Sequence, residues 1–472
     1  MNLMRDVAKN AGLQYLSRII GTILGVATLA VITRYLGDAG YGQFTVATSY
    51  LQFVGTLIDF GLNITATAML SEPGADERKI LGNFFTLRLV SAIVFFGGAC
   101  LISLMLPWGS AIQLAIAAGS FSFLFLSIHQ VLIGLFQKRL AMLWPAVSEV
   151  IGRAALFAGV LIASHRDAGL IGVMLALSAG NLLMVALTLL FARRLERFSF
   201  AFDGRLVKTI VKRSWPIALS TVFNLIYLRG DVMVMKIVGR PDAEIGWYGA
   251  AYKPLDVVTV IPIIFMGLVL PLFVNAWKSG DRERIDRIVR RAVDAVSLLA
   301  FPTLIGGVIL ATPLMTFISG PEFAPSGPLL ALLIIAAFMV FFGALFGHLI
   351  VGIERQRTML YVFALDAVVS IGLYALTIPR YGAVAAALVT IFSEAVIAIA
   401  SGIIVIRETR TKIIFYNNAK ALVAALGMGA ALALAPNWNV LVRIVFGAAV
   451  YLLLLIAFKA IRKDEIALLA KG

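Results

Sequence analysis

Apolar stretches of about 20 residues recur roughly every 25–40 residues along this chain, and each is long enough to cross ~30 Å of hydrocarbon. In lipid every backbone N–H and C=O must be satisfied within the protein, and a segment that crosses alone can do so only as a helix. Composition agrees: of 472 residues, 61% are hydrophobic and 14% charged. Soluble domains carry about 25% charged residues. The sequence therefore predicts an all-α polytopic membrane protein of about fourteen transmembrane helices. They fall at roughly 10–34, 43–68, 81–106, 110–135, 143–164, 170–192, 215–238, 247–275, 291–318, 328–352, 358–378, 383–406, 419–434 and 441–460.

The charge balance is +15, from 40 Lys and Arg against 25 Asp and Glu. In a soluble protein that excess would point to nucleic acid. Here the bases gather in alternate connections and at both ends of the chain, so they report orientation and no nucleic-acid partner is read. Both termini are therefore expected on the cytoplasmic side of a membrane that the chain crosses many times. Arg5 and Lys9 precede an apolar stretch too long for a signal peptide, so the first span is expected to be retained. The lone Cys100 can form no intramolecular disulfide. Residues 196–214 read as a basic amphipathic segment: Leu206, Val207, Ile210 and Val211 share a face opposite Arg205, Lys208 and Lys212. Such a segment suits an anionic leaflet, although a solvated linker accounts for it equally well.

The chain contains a copy of itself. Arg34-Tyr35-Leu36-Gly37 followed by Gly40-Tyr41-Gly42 matches Lys236-Ile237-Val238-Gly239 followed by Gly246-Trp247-Tyr248-Gly249. Gly74, Glu77 and Arg78 then match Gly280, Glu283 and Arg284. A unit of six spans has an even number of crossings, so the two copies run parallel, as in transporters built from two bundles around a central site. The predicted organisation is a six-helix lobe at 1–195, the basic linker at 196–214, a second six-helix lobe at 215–406, and a further two-helix segment with a cytoplasmic tail at 407–472.

Charges inside spans cost several kcal/mol unless they face a cavity or a partner, so each is a functional candidate. Arg18 lies ~12 Å into the first span, and Arg229 and Asp231 lie slightly past the middle of the seventh. Lys253 and Asp256 lie ~10–15 Å into the eighth. Arg88, Glu149, Arg153, Asp366 and Glu394 are internal as well. Arg18, Arg229, Lys253, Arg88 and Arg153 form the candidate substrate-binding set, because guanidinium and ammonium groups bind phosphate oxygens. Asp59, Asp231, Asp256, Asp366 and Glu394 are the candidates for gating or ion coupling. Blander readings stand beside these. Glu149 and Arg153 have the favourable spacing for a structural ion pair, and Lys253 and Asp256 can pair at i, i+3. Arg88 is near enough to the membrane edge to snorkel, as is Lys236. Arg18 and Arg229 have no acid three or four residues away and are expected to face a solvated cationic cavity between the halves. Asp366 and Glu394 are either proton carriers or hydrogen-bonded packing residues.

The three histidines are scattered, and neither an HExxH metal motif nor a P-loop occurs, so no metal, cofactor, catalytic residue or ATP hydrolysis is predicted. A membrane glycosyltransferase would need a sizeable outer loop for its acid or base, and none is read.

The opening, from Arg34-Tyr35-Leu36-Gly37 through Tyr41-Gly42 to Asp59-Phe60-Gly61-Leu62, resembles polysaccharide biosynthesis flippases of the Wzx type. Trp215-Pro216-Ile217-Ala218-Leu219-Ser220, Asp231, Gly246, Tyr248, Ala250-Ala251-Tyr252-Lys253 and Pro271 resemble that family's second half. These patterns shade into the wider multidrug/oligosaccharidyl-lipid/polysaccharide exporter superfamily. The resemblance implies two six-helix lobes and a polyprenyl-diphosphate-linked oligosaccharide carried to the outer leaflet by alternating access, with a polysaccharide polymerase and glycosyltransferases as partner enzymes. It also implies coupling to an ion gradient, as in an antiporter. A peptidoglycan lipid-precursor flippase shares the fourteen spans and cationic cavity. A drug or cation antiporter of the superfamily would have twelve spans and an acidic cavity. A non-transporting membrane assembly factor would have lipid-facing or ion-paired charges.

Overall fold

Long apolar runs, few prolines inside them and sparse turn residues leave the backbone one economical solution, the helix. The computed structural model describes residues 2–59, 61–70, 72, 74–139, 141–411 and 416–460, with side chains for all of these except 2–16, 64, 216–229, 416 and 417. The helices are α1 (Asn2–Asp59), α2 (Leu62–Leu70), α3 (Glu77–Met105), α4 (Ser110–Lys138), α5 (Leu143–His165), α6 (Gly169–Leu195), α7 (Gly204–Ile237), α8 (Asp242–Val258), α9 (Val260–Ser279), α10 (Arg282–Ser319), α11 (Ser326–Gly352), α12 (Gln356–Thr409), α13 (Tyr416–Leu434) and α14 (Val440–Ala457). Among the described residues ten helical stretches are long and apolar enough to cross a membrane. The protein is an all-α, polytopic membrane protein.

Two of these stretches are double. α1 breaks at Gly37 (φ 65°, ψ −177°) and α12 at Gly382 (φ 56°, ψ −135°). A side chain is disfavoured at such φ values, so glycine lets the chain change direction there with almost no unpaired backbone. Each break falls between two spans expected from the sequence. Other spans are less regular than expected. The second ends at Asp59 and resumes as α2 after Gly61, and the eighth is divided between α8 and α9. The basic stretch 204–214 is not separate from the seventh span, because α7 runs unbroken from Gly204. Asp203 caps it, accepting from the amides of Arg205 and Leu206 at 2.9 and 3.2 Å. The Lys79 ammonium, bonded to Asp203, and these two amides hold its carboxyl below the ordinary carboxylate value.

The chain divides into two compact units, Met1–Gly246 and Trp247–Gly472. In the first, α1 packs on α3, α4, α5 and α7, while α6 packs on α4 and α5. At one end of this unit an ionic chain ties the turns together: Lys138 and Arg139 both reach Glu77 (2.7 and 2.8 Å), Lys79 reaches Asp203 (2.7 Å), and Arg213 reaches Glu72 (2.5 Å). At the opposite end Tyr35, just before the α1 break, accepts from the Gly169 amide (2.7 Å) and donates to Asp167 (3.2 Å). In the second unit α10 packs on α11, α13 and α14, and α11 packs on α9 and α12. The last two helices are fastened to α10 by Asn418 donating to Ser297 (2.6 Å) and Tyr451 donating to the Leu298 carbonyl (2.9 Å).

The repeat read from the sequence is visible in backbone conformation. Gly37 and Gly239 both have positive φ, as do Gly74 and Gly280. After each of the latter an aspartate caps the next helix: Asp76 accepts from Lys79 N–H and Asp281 from Arg284 N–H, both at 3.0 Å. The caps make Asp76 the counterpart of Asp281, one residue out of step with the Glu77–Glu283 match. The copies also meet inside the first unit. A Cβ on Gly42 would overlap the Asp242 carbonyl, and a Cβ on Gly246 would overlap the Asp38 carbonyl. This reciprocal contact makes Gly42 the counterpart of Gly246. Asp242 is held there by Lys236 Nζ (2.6 Å) and Gln43 Nε2 (3.1 Å), so Lys236 is an ion-pair partner and does not snorkel.

Candidate functional site

The predicted charges sort into three groups. The first gathers on α1 and α5. Gly21 and Gly25 lie one turn apart on α1, and the Arg153 side chain of α5 lies across them, with its Cδ and Nε 3.2 Å from where a Gly21 Cβ would stand. Its Nη1 donates to the Gly21 carbonyl at 3.0 Å. Its Nε and Nη2 donate to Glu149 Oε1 at 3.1 and 2.7 Å. The expected i, i+4 pair is thus formed, yet both partners remain about half exposed. Arg18 sits one turn before Gly21 on α1 and is exposed, with no acid within ion-pair distance among the described residues. Arg18 and Arg153 are therefore neighbours along one edge of α1. Two guanidinium groups and one carboxylate leave that edge net positive.

The second group is the pair Asp59–Arg88, between the end of α1's second segment and α3. Arg88 is fully buried, so the snorkelling reading fails, and its Nη2 donates to Asp59 Oδ1. Arg88 Nε and Nη1 have no hydrogen-bond partner among the described residues. A buried guanidinium with two unused nitrogens is costly, and the carboxylate of Asp59 offsets part of that cost. Asp231, also in the first unit, is buried and accepts from the Val232 amide at 2.7 Å. The side chain of Arg229 lies outside the described residues.

The third group is in the second unit, across the break of α12. Asp366 and Glu394 are both buried, and Ser393 Oγ donates to the Asp366 carboxylate. Asp366 Oδ1 and Ser370 Oγ have no partner among the described residues. The fold thus brings the two acids, which are distant in sequence, into one polar cluster inside apolar helices, with Ser370 and Ser393 completing it. The serines carry no sequence signal that separates them from ordinary helix serines. Lys253 is exposed on α8 and Asp256 half-buried. Among the described residues no cluster of His, Cys, Asp and Glu could hold a metal ion.

Residues 7–277, more than half of the chain, match the family described as polysaccharide biosynthesis protein. The chain belongs to this family. The matched residues include the opening motifs of both copies of the internal repeat, so the match bears out the resemblance read at Arg34–Leu62 and Trp215–Pro271. The succinoglycan biosynthesis transport protein ExoT of Rhizobium meliloti (strain 1021) is 24% identical over 396 residues, 82% of this chain and 76% of that protein. In fold the chain is similar to the lipid II flippase MurJ in an inward closed conformation, with TM-score 0.79 and 15% identity over 94% of this chain and 98% of that one. It is also similar to an inward-facing multidrug resistance MATE family transporter of the MOP superfamily, with TM-score 0.67 and 14% identity over 83% and 94%. Family and apolar helices make this polysaccharide biosynthesis protein a multi-pass membrane protein.

Proposed function

We propose that the protein is a flippase for a polyprenyl-diphosphate-linked oligosaccharide, moving it from the cytoplasmic to the outer leaflet of a bacterial inner membrane by alternating access. The observation that carries this reading is the exposed, acid-free Arg18 beside Arg153 on the α1 edge, in a family assigned to polysaccharide biosynthesis. Guanidinium forks suit a diphosphate, and Lys253 and Arg229 are proposed as further phosphate-binding residues, each to be tested by its own alanine variant; both termini are proposed to be cytoplasmic, with two six-helix lobes followed by the 407–472 segment. Glycosyltransferases that build the repeat unit and a polymerase that consumes it are the proposed partners.

The test is flipping of a labelled polyprenyl-diphosphate sugar in proteoliposomes. Arg18→Ala is expected to lower the rate about tenfold or more, since a charge-assisted contact to phosphate is worth ~1.5–3 kcal/mol. Arg18→Lys should retain an intermediate rate. A parent-like rate for Arg18→Ala would overturn the substrate role. If lipid II is flipped in preference to the oligosaccharide, the peptidoglycan reading replaces this one. Coupling to a proton gradient through the Asp366–Glu394 cluster predicts that Asp366→Asn and Glu394→Gln become insensitive to an imposed gradient. Gradient dependence that survives in both variants clears these residues.

A further inference from the structure

The connection between α6 and α7 carries a surface that the transport cycle does not require. Residues 196–203 lie along the first turns of α3. Ala201 N–H donates to Thr86 Oγ1 (3.2 Å), Asp203 N–H donates to Asn83 Oδ1 (2.6 Å), and Gly82, lacking a Cβ, admits the Ser199 carbonyl. Phe198 is buried against Phe85, with ring centroids 5.7 Å apart. Phe200 meets Phe85 edge-on, with ring centroids 5.3 Å apart, yet it and Phe202 stay 64% and 74% exposed. Further along α3 the exposed Val90, Ile93 and Val94 continue the same apolar helix. Fastening this arm to α3 therefore puts two largely exposed phenylalanines beside a helix long and apolar enough to cross the membrane.

The start of α7 adds charge. Arg205, Lys208 and Lys212 are exposed and follow one another at the three- and four-residue spacing of a single helix face. Val211 and Trp215 are exposed alongside them, while Ile210 and Ser214 are buried on the opposite side. The nearby acids are already occupied: Glu196 by Arg139 (3.7 Å), Asp203 by Lys79 and Glu72 by Arg213. Among the described residues, Arg205, Lys208 and Lys212 have no acid within ion-pair distance. Water would accept the cations but not the rings. A bilayer interface accepts both, with rings below the phosphates and cations among them.

We propose that residues 196–215 form a binding surface for anionic phospholipid, with Phe200 and Phe202 inserted among the acyl chains and Arg205, Lys208 and Lys212 on the headgroup phosphates. Bulk lipid of the leaflet is the ligand, and the proposal stands independently of which substrate is flipped. Each base near an anionic surface favours it measurably, and three on one face add up to a headgroup preference.

The full chain, as Cys100→Ser with Phe202→Cys carrying a bimane fluorophore, is placed in nanodiscs. Nitroxide-labelled phosphatidylglycerol or phosphatidylcholine, labelled near the top of the acyl chain, is included at equal mole fraction. The expected result is efficient lipid quenching with little quenching by aqueous iodide, and about twofold or greater quenching by phosphatidylglycerol over phosphatidylcholine. Arg205→Gln/Lys208→Gln/Lys212→Gln should abolish that difference while quenching by phosphatidylcholine stays constant, which also shows that the arm is still in place. Iodide quenching without lipid quenching would overturn the insertion. Equal quenching by the two lipids in the parent chain, a comparison that needs no charge variant, would overturn the headgroup preference.

Discussion

Gly42→Ala and Gly246→Ala are each expected to lower the rate of flipping in proteoliposomes about 30-fold. Each added methyl group would overlap a backbone carbonyl, that of Asp242 or Asp38 respectively, and neither carbonyl can rotate away as a side-chain tip could. Overpacking typically costs ~1–3 kcal/mol. A penalty of ~2 kcal/mol on the conformation containing this contact, borne by no other state, depletes it about 30-fold. The two variants should resemble each other because the contact is reciprocal. Gly97→Ala is the control: nothing lies within 4 Å of its added Cβ, and alanine is the better helix former by ~1 kcal/mol. Parent-like flipping and melting in Gly42→Ala would show that the contact is not required.

The second large effect concerns the buried pair. Asp59→Leu leaves the Arg88 guanidinium charged, buried and without its carboxylate, and removing one member of such a pair costs ~3–5 kcal/mol. Arg88→Met should cost less, because Asp59 keeps about a quarter of its side chain exposed and can be hydrated. The double variant Asp59→Leu/Arg88→Met is expected to recover most of the loss, since apolar replacements of similar volume leave no stranded charge. Melting in detergent gives the order: double variant above Arg88→Met above Asp59→Leu. Additive losses in the double variant would mean that the two side chains do not act as a pair.

How much of this was legible in the sequence depended on whether a signal was local. Apolar run length located the helices, and paired glycines located the places where the repeat changes direction, because φ near +70° leaves a residue signature. Glu149–Arg153 was legible for the same reason: both residues are on one helix at a spacing that fixes their contact. Asp59–Arg88 was not, because the residues belong to different helices and nothing in either segment specifies the other. Arg153 crossing Gly21 and Gly25 was hidden too. Two glycines one turn apart announce a close approach but not the residue that makes it. The junction of Asp366 with Ser393 needed the break at Gly382, which turns one part of α12 back towards the other. The register of the repeat was misread at two places, by one residue at the helix caps and by two at Gly246, where identity of residue type alone guided the match.

Arg153 restricts the motions open to the first half of α1. Its side chain straddles the flat provided by Gly21 and Gly25 and holds the Gly21 carbonyl, while Tyr35 is engaged by Gly169 and Asp167 further on. Twisting α1 about its own axis would swing Ile20 or Thr22 into the guanidinium and tear both attachments at once. Tilting it at Gly37 would draw Gly21, ~24 Å along the helix from that break, away from Arg153 unless α5 moves with it. The segment that carries Arg18 is thus tied to α5, and whatever Arg18 holds keeps the guanidinium of Arg153 beside it.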